Sequence, residues 1–451
     1  MTREGFPDGF TFGAATASYQ IEGAVGEGGR GPSIWDTFTH TPGAVADGAT
    51  GDVACDHYHR FQTDLDLLAE LGVDAYRFSI AWPRIQPAGV GRANQAGLDF
   101  YSRLVDGLLA LGIRPFVTLY HWDLPQALED KGGWLDRDTA FRFADYADLV
   151  ARELGDRVAD WATLNEPWCI AMLGYASGVH APGRRGPEGG LRASHHLNLA
   201  HGLAVPALRA SSAGRVGVVV NYHQFYPATD SPDDEAAVGR VDAIGNWIYT
   251  EPMLAGRYDP LTREVTRDVA TWDFVADGDL ARIQAPLDFL GLNYYAPAYL
   301  AASVGALEAP NPWPGAVGAR WVAPRPPLTT MGWSVEPAGL TDLLVKVHAR
   351  YGDLDLVVTE NGSAFPDVVG ADGTVHDPAR VAYLRDHLEA VSAAIGRGVP
   401  VTGYYAWSLM DNFEWAFGFS QRFGLYRVDY ATQVRTPKDS ALWYQRFLSG
   451  I

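Results

Sequence analysis

Residues 61–80 read FQTDLDLLAELGVDAYRFSI, and this stretch holds the repeating unit of the fold. Phe61, Leu65, Leu68 and Leu71 fall near one face at helical spacing. Gly72 follows at once, where a glycine commonly ends a helix. Residues 75–80 then form a short apolar and aromatic run, the pattern of a buried strand. The unit recurs. Leu104, Leu108 and Leu111 precede Gly112 and a strand-like run at 115–120. An amphipathic stretch from Phe141 to Leu154 precedes Gly155 and a run at 161–164. Further runs lie at 10–14, 216–221, 289–293, 356–359 and 402–407. Strand, helix and strand in series mean parallel strands joined by helical crossovers. Eight such strands predict an α/β fold, a single (β/α)8 TIM barrel with elaborated βα loops, as one domain over residues 1–451. A doubly wound open sheet would more naturally carry a glycine-rich turn after its first strand. Here that place reads AATASYQ, residues 14–20. Two Gly- and Pro-rich segments, 181–190 and 309–327, follow the fourth and sixth strands and read as βα loops on the barrel rim.

Composition narrows the function classes. With 47% hydrophobic and 20% charged residues, the chain has an ordinary globular balance. A net charge of −19 disfavours nucleic acid and anionic membrane surfaces, which need a basic patch. Cys55 and Cys169 lie far apart and form neither a disulfide framework nor a zinc cluster pattern. The first residues hold no apolar leader, and no run nears the ~20 apolar residues of a membrane span, so a cytoplasmic protein is expected. His57, His59, His195, His196 and His201 lack a convergent metal-ligand spacing and read as solvated or packing residues. Fourteen Trp, 21 Tyr and 19 Phe suit either a large core or a sugar site, because the apolar face of a pyranose stacks on aromatic rings.

Barrel enzymes keep their chemistry at the exits of the strands. The predicted second strand carries Arg77. The third ends in His121-Trp122-Asp123, the fourth in Asn165-Glu166-Pro167 and the sixth in Asn293-Tyr294-Tyr295. The seventh ends in Glu360-Asn361-Gly362, and the eighth carries Trp407 with Glu414-Trp415 soon after. Glu166 and Glu360 each cap an apolar strand, where a carboxylate is costly unless partnered or used. Strands four and seven stand on nearly opposite sides of an eight-stranded ring. Two carboxyls facing across a pocket are what glycoside hydrolysis needs, one protonated and one ionised, about 5–5.5 Å apart for the retaining course. Arg77, if it reached Glu360, would keep that carboxyl anionic, while burial and the negative neighbour would keep a proton on Glu166. For either glutamate alone, a buried ion pair bracing the barrel top is an equal reading.

Several motifs in register resemble glycoside hydrolase family 1, the β-glucosidase family. They are residues 10–23 (FTFGAATASYQIEG), 77–84 (RFSIAWPR), 120–125 (YHWDLP), 163–167 (TLNEP), 178–183 (GVHAPG), 358–362 (VTENG) and 407–415 (WSLMDNFEW). The resemblance spans nearly the whole chain. It implies the barrel, a retaining exo-β-glycosidase without cofactor or metal, Glu166 as acid/base and Glu360 as nucleophile. It implies that Gln20, His121, Trp122, Asn165, Trp407, Glu414 and Trp415 hold the glycone. Asn293 and Tyr295 would touch the 2-hydroxyl region and orient the nucleophile. Trp168, Cys169, Leu173, His180, Tyr222 and Trp333 would line the aglycone side from loops. Glu414 stands where phosphosugar branches contact phosphate, and a carboxylate would repel a phosphate dianion, so an unphosphorylated glycone is expected. The expected partner is a small β-glycoside such as cellobiose or an aryl β-glucoside. Activity on β-galactosides or β-fucosides, transfer to other acceptors, a non-catalytic sugar-binding role and homo-oligomer formation stay open at this point.

Overall fold

A computed structural model describes residues 2–305, 307 and 310–450. Ala309, the first residue of the second Gly- and Pro-rich segment, lies outside the described residues.

Eight parallel strands close into a barrel: β1 Thr11–Ala15, β2 Ala75–Ser79, β3 Arg114–Tyr120, β4 Asp160–Asn165, β5 Arg215–Asn221, β6 Phe289–Asn293, β7 Leu356–Asn361 and β8 Val401–Trp407. Each pairs with its neighbours in chain order, and β1 closes the ring against β8. All eight sequence-predicted strands are present, with ends shifted by no more than two residues. The main crossover helices are α1 His57–Leu71, α2 Gln95–Ala110, α3 Asp138–Leu154, α4 Pro187–Ser211, α5 Pro232–Asp242, α6 Ala338–Tyr351 and α7 Pro378–Gly396, and α8 Asp439–Ser449 follows β8. Leu65, Leu68 and Leu71 of α1 are buried, and Gly72 closes the helix at φ +76°, a conformation costly to other residues.

The apolar mass lies mainly between strands and helices. A smaller cluster fills the barrel itself, where Phe116, Phe289 and Tyr405 meet edge to face, with ring centroids 5.4 Å apart. This plug makes the barrel a packed core rather than a pore, so a ligand can enter only beyond the C-terminal strand ends.

Some local expectations need correction. Gly155 has φ −67° and is no left-handed cap. A Cβ there would lie 2.3 Å from the carbonyl oxygens of Ala151 and Ser211, so close backbone approach explains the glycine. Residues 187–190, read as loop, already belong to α4, because Pro187 suits the first turn of a helix. Within the second loop segment, Ala319–Trp321 forms a strand of a small side sheet with Pro297–Ala302 and Gln224–Pro227. Residues Cys169–Ser177 are not loop but a wide, π-type helix, with Trp168 at its start. No helix among the described residues is long and apolar enough to cross a membrane.

Candidate active site

A cavity of about 370 Å³ opens at the C-terminal ends of the strands. Of the sequence-predicted site residues, His121, Trp122, Glu166, Trp168, Cys169, Leu173, His180, Tyr222, Asn293, Tyr295, Trp333, Glu360, Trp407, Glu414 and Trp415 line it. Arg77, Gln20 and Asn165 are fully buried against residues that line it: Arg77 on Glu360, Asn165 on His121 and Gln20 beside Glu414. A wider depression of about 800 Å³ between residues 34–44 and 178–185 contains none of the predicted catalytic groups.

Both glutamates are placed by irregular strand ends. The pairing of β4 with β5 shifts register between Ala162 and Asn165, and that of β7 with both neighbours shifts after Val358. Such bulges re-aim side chains next to active sites. Glu166 itself has φ +50°, in the left-handed region that a non-glycine residue rarely occupies. Among the described residues, eight non-glycine residues have positive φ, and three of them, Trp122, Glu166 and Trp415, line this one cavity. Such strain persists only where surrounding contacts over-determine it, and it clusters at functional sites. Gly362 belongs to the same design. A Cβ there would sit 1.7 Å from the carbonyl oxygen of Trp407, so only glycine lets β7 turn away beside β8.

The two carboxyls have opposite surroundings. Arg77 Nη1 donates to Glu360 Oε1 at 2.6 Å, and the Tyr295 hydroxyl donates to Oε2 at 2.7 Å. Arg77 is held in turn by Thr118 Oγ1, the Thr359 carbonyl and Asn165 Oδ1, so its charge cannot swing away. Glu166 has no cation in hydrogen-bond contact among the described residues. It accepts from Asn293 Nδ2 at 2.7 Å and from the Cys169 thiol at 3.1 Å. Burial, and then the charge of Glu360, push its pKa from the ordinary 4.5 up to about 8. Asn293 is hydrogen-bonded to Glu166 and not to Glu360, because its Oδ1 accepts from Thr359 Oγ1 and turns the amide nitrogen the other way. Of the two, it is Tyr295 that contacts Glu360.

A third carboxyl, Glu414, faces the same space and is also pushed up to about 8, by burial and then by Glu360 and Glu166. On this inner side three buried polar atoms have no hydrogen-bond partner among the described residues: Gln20 Oε1, His121 Nδ1 and Glu414 Oε2. Gln20 spends its Nε2 on Asn412 Oδ1 and the Phe413 carbonyl, which fixes Oε1 as a free acceptor. His121 Nε2 accepts from Asn165 Nδ2 at 3.0 Å, so Nδ1 carries the hydrogen. Burial first, then Arg77, hold its pKa well below the usual histidine value, so the ring is neutral. Its ring stacks with those of Trp407 and Trp415, with centroids 5.9 and 6.0 Å away. On the outer side Trp168 Nε1, His180 Nδ1 and Asn221 Oδ1 are likewise buried without a partner. Leaving such atoms unpaired costs about 1–3 kcal/mol each, a cost relieved by a hydroxyl-rich ligand.

Asn221, His223, Met331, Phe417 and Phe423 also line the cavity and were missed in the sequence. Asn221 carried a usable signal, a polar residue at the exit of β5. The others sit in connections with no local mark. The histidines considered for metal are otherwise engaged. His57 pairs with Asp64, His195 with Asp279 and Tyr258, His196 with the Trp134 carbonyl, and His201 with Thr163 Oγ1. His59 lies at the surface between Asp56 and Glu27.

The chain matches the description of glycosyl hydrolase family 1 over residues 2–450. It is 53% identical to a bifunctional β-D-glucosidase/β-D-fucosidase of Bifidobacterium breve, over 98% of each chain. It is 47% identical to β-glucosidase A of Thermotoga maritima, over 100% of this chain and 99% of that one. Among solved structures, it is similar to the family 1 β-glucosidase from Thermotoga maritima in complex with isofagomine lactam. There the TM-score is 0.94 at 46% identity, over 99% of this chain and 98% of the other.

Proposed function

The chain belongs to glycosyl hydrolase family 1, and from that premise we propose that it is a retaining exo-β-glucosidase with Glu360 as nucleophile and Glu166 as acid/base. Glu360 attacks the anomeric carbon as the glycosidic bond breaks, and the proton of Glu166 passes to the departing oxygen. A glycosyl-enzyme results. Glu166, now ionised, takes a proton from water, the water oxygen bonds to the anomeric carbon, and Glu360 leaves with the configuration retained.

One observation carries this division of roles: two carboxyls share a cavity, but only Glu360 has a guanidinium and a phenol upon it. Glu166, without a cation in contact, is held protonated well above the usual carboxylate range by burial and by the charge of Glu360. The unpartnered inner atoms on Gln20, His121 and Glu414 support their role in holding glycone hydroxyls, with Trp407 and Trp415 as the apolar surface. The unpartnered outer atoms on Trp168, His180 and Asn221 favour a hydroxylated leaving group, as in cellobiose, over a purely aromatic one. A second activity on β-fucosides is favoured by the Bifidobacterium breve relative, whose name records both.

The test is a Glu360→Ala variant assayed with an aryl β-glucoside and azide. The α-glucosyl azide is expected, because Glu166 faces the opposite side of the ring from the azide in the vacated nucleophile position. Formation of the β-azide would reverse the two roles.

A further inference from the structure

Cys169 was expected to line the aglycone side, and its thiol is directed at Glu166. It stands three residues after Glu166, in the first turn of the wide helix Cys169–Ser177, and its sulfur lies 3.1 Å from Glu166 Oε2. The other oxygen, Oε1, accepts from Asn293 Nδ2 at 2.7 Å. We propose that Asn293 and Cys169 are positioning residues that divide the two oxygens of Glu166 between a fixed strong donor and a reversible weak one, so that the transferable proton resides on Oε2. This rests on the reading of Glu166 as acid/base.

The chemistry of the two partners differs. The Asn293 amide is locked, since its Oδ1 is occupied by Thr359 Oγ1 at 2.7 Å and its nitrogen must face Glu166. An amide nitrogen only donates, and a carboxyl oxygen that carries the proton accepts less well than the carbonyl oxygen, so the Asn293 N–H favours Oε1 as the carbonyl oxygen. A thiol donates weakly and its sulfur also accepts weakly. When Glu166 is ionised, the S–H points at Oε2. When Oε2 is protonated, the S–H rotates away and the carboxyl O–H is free for the departing oxygen. The reverse rotation accompanies deprotonation of water in the second half-reaction. The thiol keeps its own proton throughout, because burial and then the neighbouring Glu166 hold its pKa well above the usual value. Cys169 is therefore a switchable donor and not a nucleophile.

The experiment compares Cys169→Ala and Cys169→Ser in the full chain, reading kcat/KM against pH with a poor-leaving-group β-glucoside. Loss of the donor in Cys169→Ala should move the alkaline limb upward by about half a pH unit, because the ionised form of Glu166 loses a hydrogen bond. Cys169→Ser restores a donor and should return the limb to the parent position or below it. A packing role alone would change KM or stability and leave the limb where it was. Equal displacement of both variants in one direction, or no displacement in either, overturns the proposal. Glu166→Ala, run in parallel, separates the two layers. If it spares substrates with acidic leaving groups while the Cys169 variants leave the limb unmoved, only this inference fails. If it loses good and poor leaving groups alike, the acid/base reading fails and takes this inference with it.

Discussion

Two buried clusters of three carboxyls each draw one member from the segment after β8, Glu414 in one and Asp411 in the other, and they differ in one respect. In the pocket, Glu166, Glu360 and Glu414 face a single hydrogen-bonded cation, Arg77. In the other cluster, Asp411, Asp367 and Asp377 interleave with Lys438, Arg380 and Arg422. Asp411, in the segment joining Trp407 to Glu414, accepts from Lys438 Nζ at 2.7 Å and Arg422 Nη1 at 2.6 Å, and also from the backbone of Gly424 and Val428. Burial pushes Asp411 up, yet Lys438 and Arg422 outweigh it and its carboxyl lies below the ordinary value. Burial pushes Glu166 and Glu414 up with no cation in contact, and both rise to about 8. The same residue types are thus structural where charge is balanced and proton-holding where it is not. The balanced cluster pins the loop that carries Glu414 and Trp415. The unbalanced one gives up stability for a carboxyl that keeps a proton near neutral pH.

The contrast can be broken by measurement. The largest expected effect is on turnover: Glu360→Gln should lower kcat by about 10⁴-fold or more, since it removes the attacking oxyanion. Near-parent kcat in a preparation free of wild-type enzyme would remove the pocket from the mechanism. Next, Asp411→Ala should cost about 3–5 kcal/mol in urea unfolding, because the buried Lys438 and the partly buried Arg422 lose their shared partner. A variant as stable as the parent would show that balance is not what holds the loop.

Glu166→Gln should do the opposite. For a carboxyl whose folded pKa is raised, its contribution to stability is fully present below pH 4.5 and is lost as pH rises through about 8. The Gln variant escapes that loss. It should match the parent near about pH 4 and exceed it at about pH 9 by up to about 5 kcal/mol. Greater stability of the parent at alkaline pH would contradict the charge imbalance. The smallest effect belongs to an exposed pair: Arg152→Ala, removing the contact with Asp148 on α3, should change stability by less than about 0.5 kcal/mol. A larger loss would mean that pairing, and not burial, separates the clusters.

Local sequence marked the strands, the helix stops at Gly72 and Gly112, and the polar residues at strand exits, because strand burial, helical periodicity and glycine caps act between residues a few positions apart. Hence eight strands were legible to within two residues, and both glutamates stood out as carboxyls at the end of apolar runs. Their opposite environments were legible only as requirements. Arg77 and Glu360 are 283 residues apart, and Asn293 and Glu166 are 127 apart. Such pairs exist only once the barrel closes. Closure decided that Asn293 serves Glu166, that the Cys169 thiol turns inward, and that Asp411 finds two cations while Glu414 finds none in contact. The order of residues determines which groups stand at the mouth of the barrel. Their protonation is set by desolvation and by charges from distant parts of the chain, and these quantities have no value until the chain has folded.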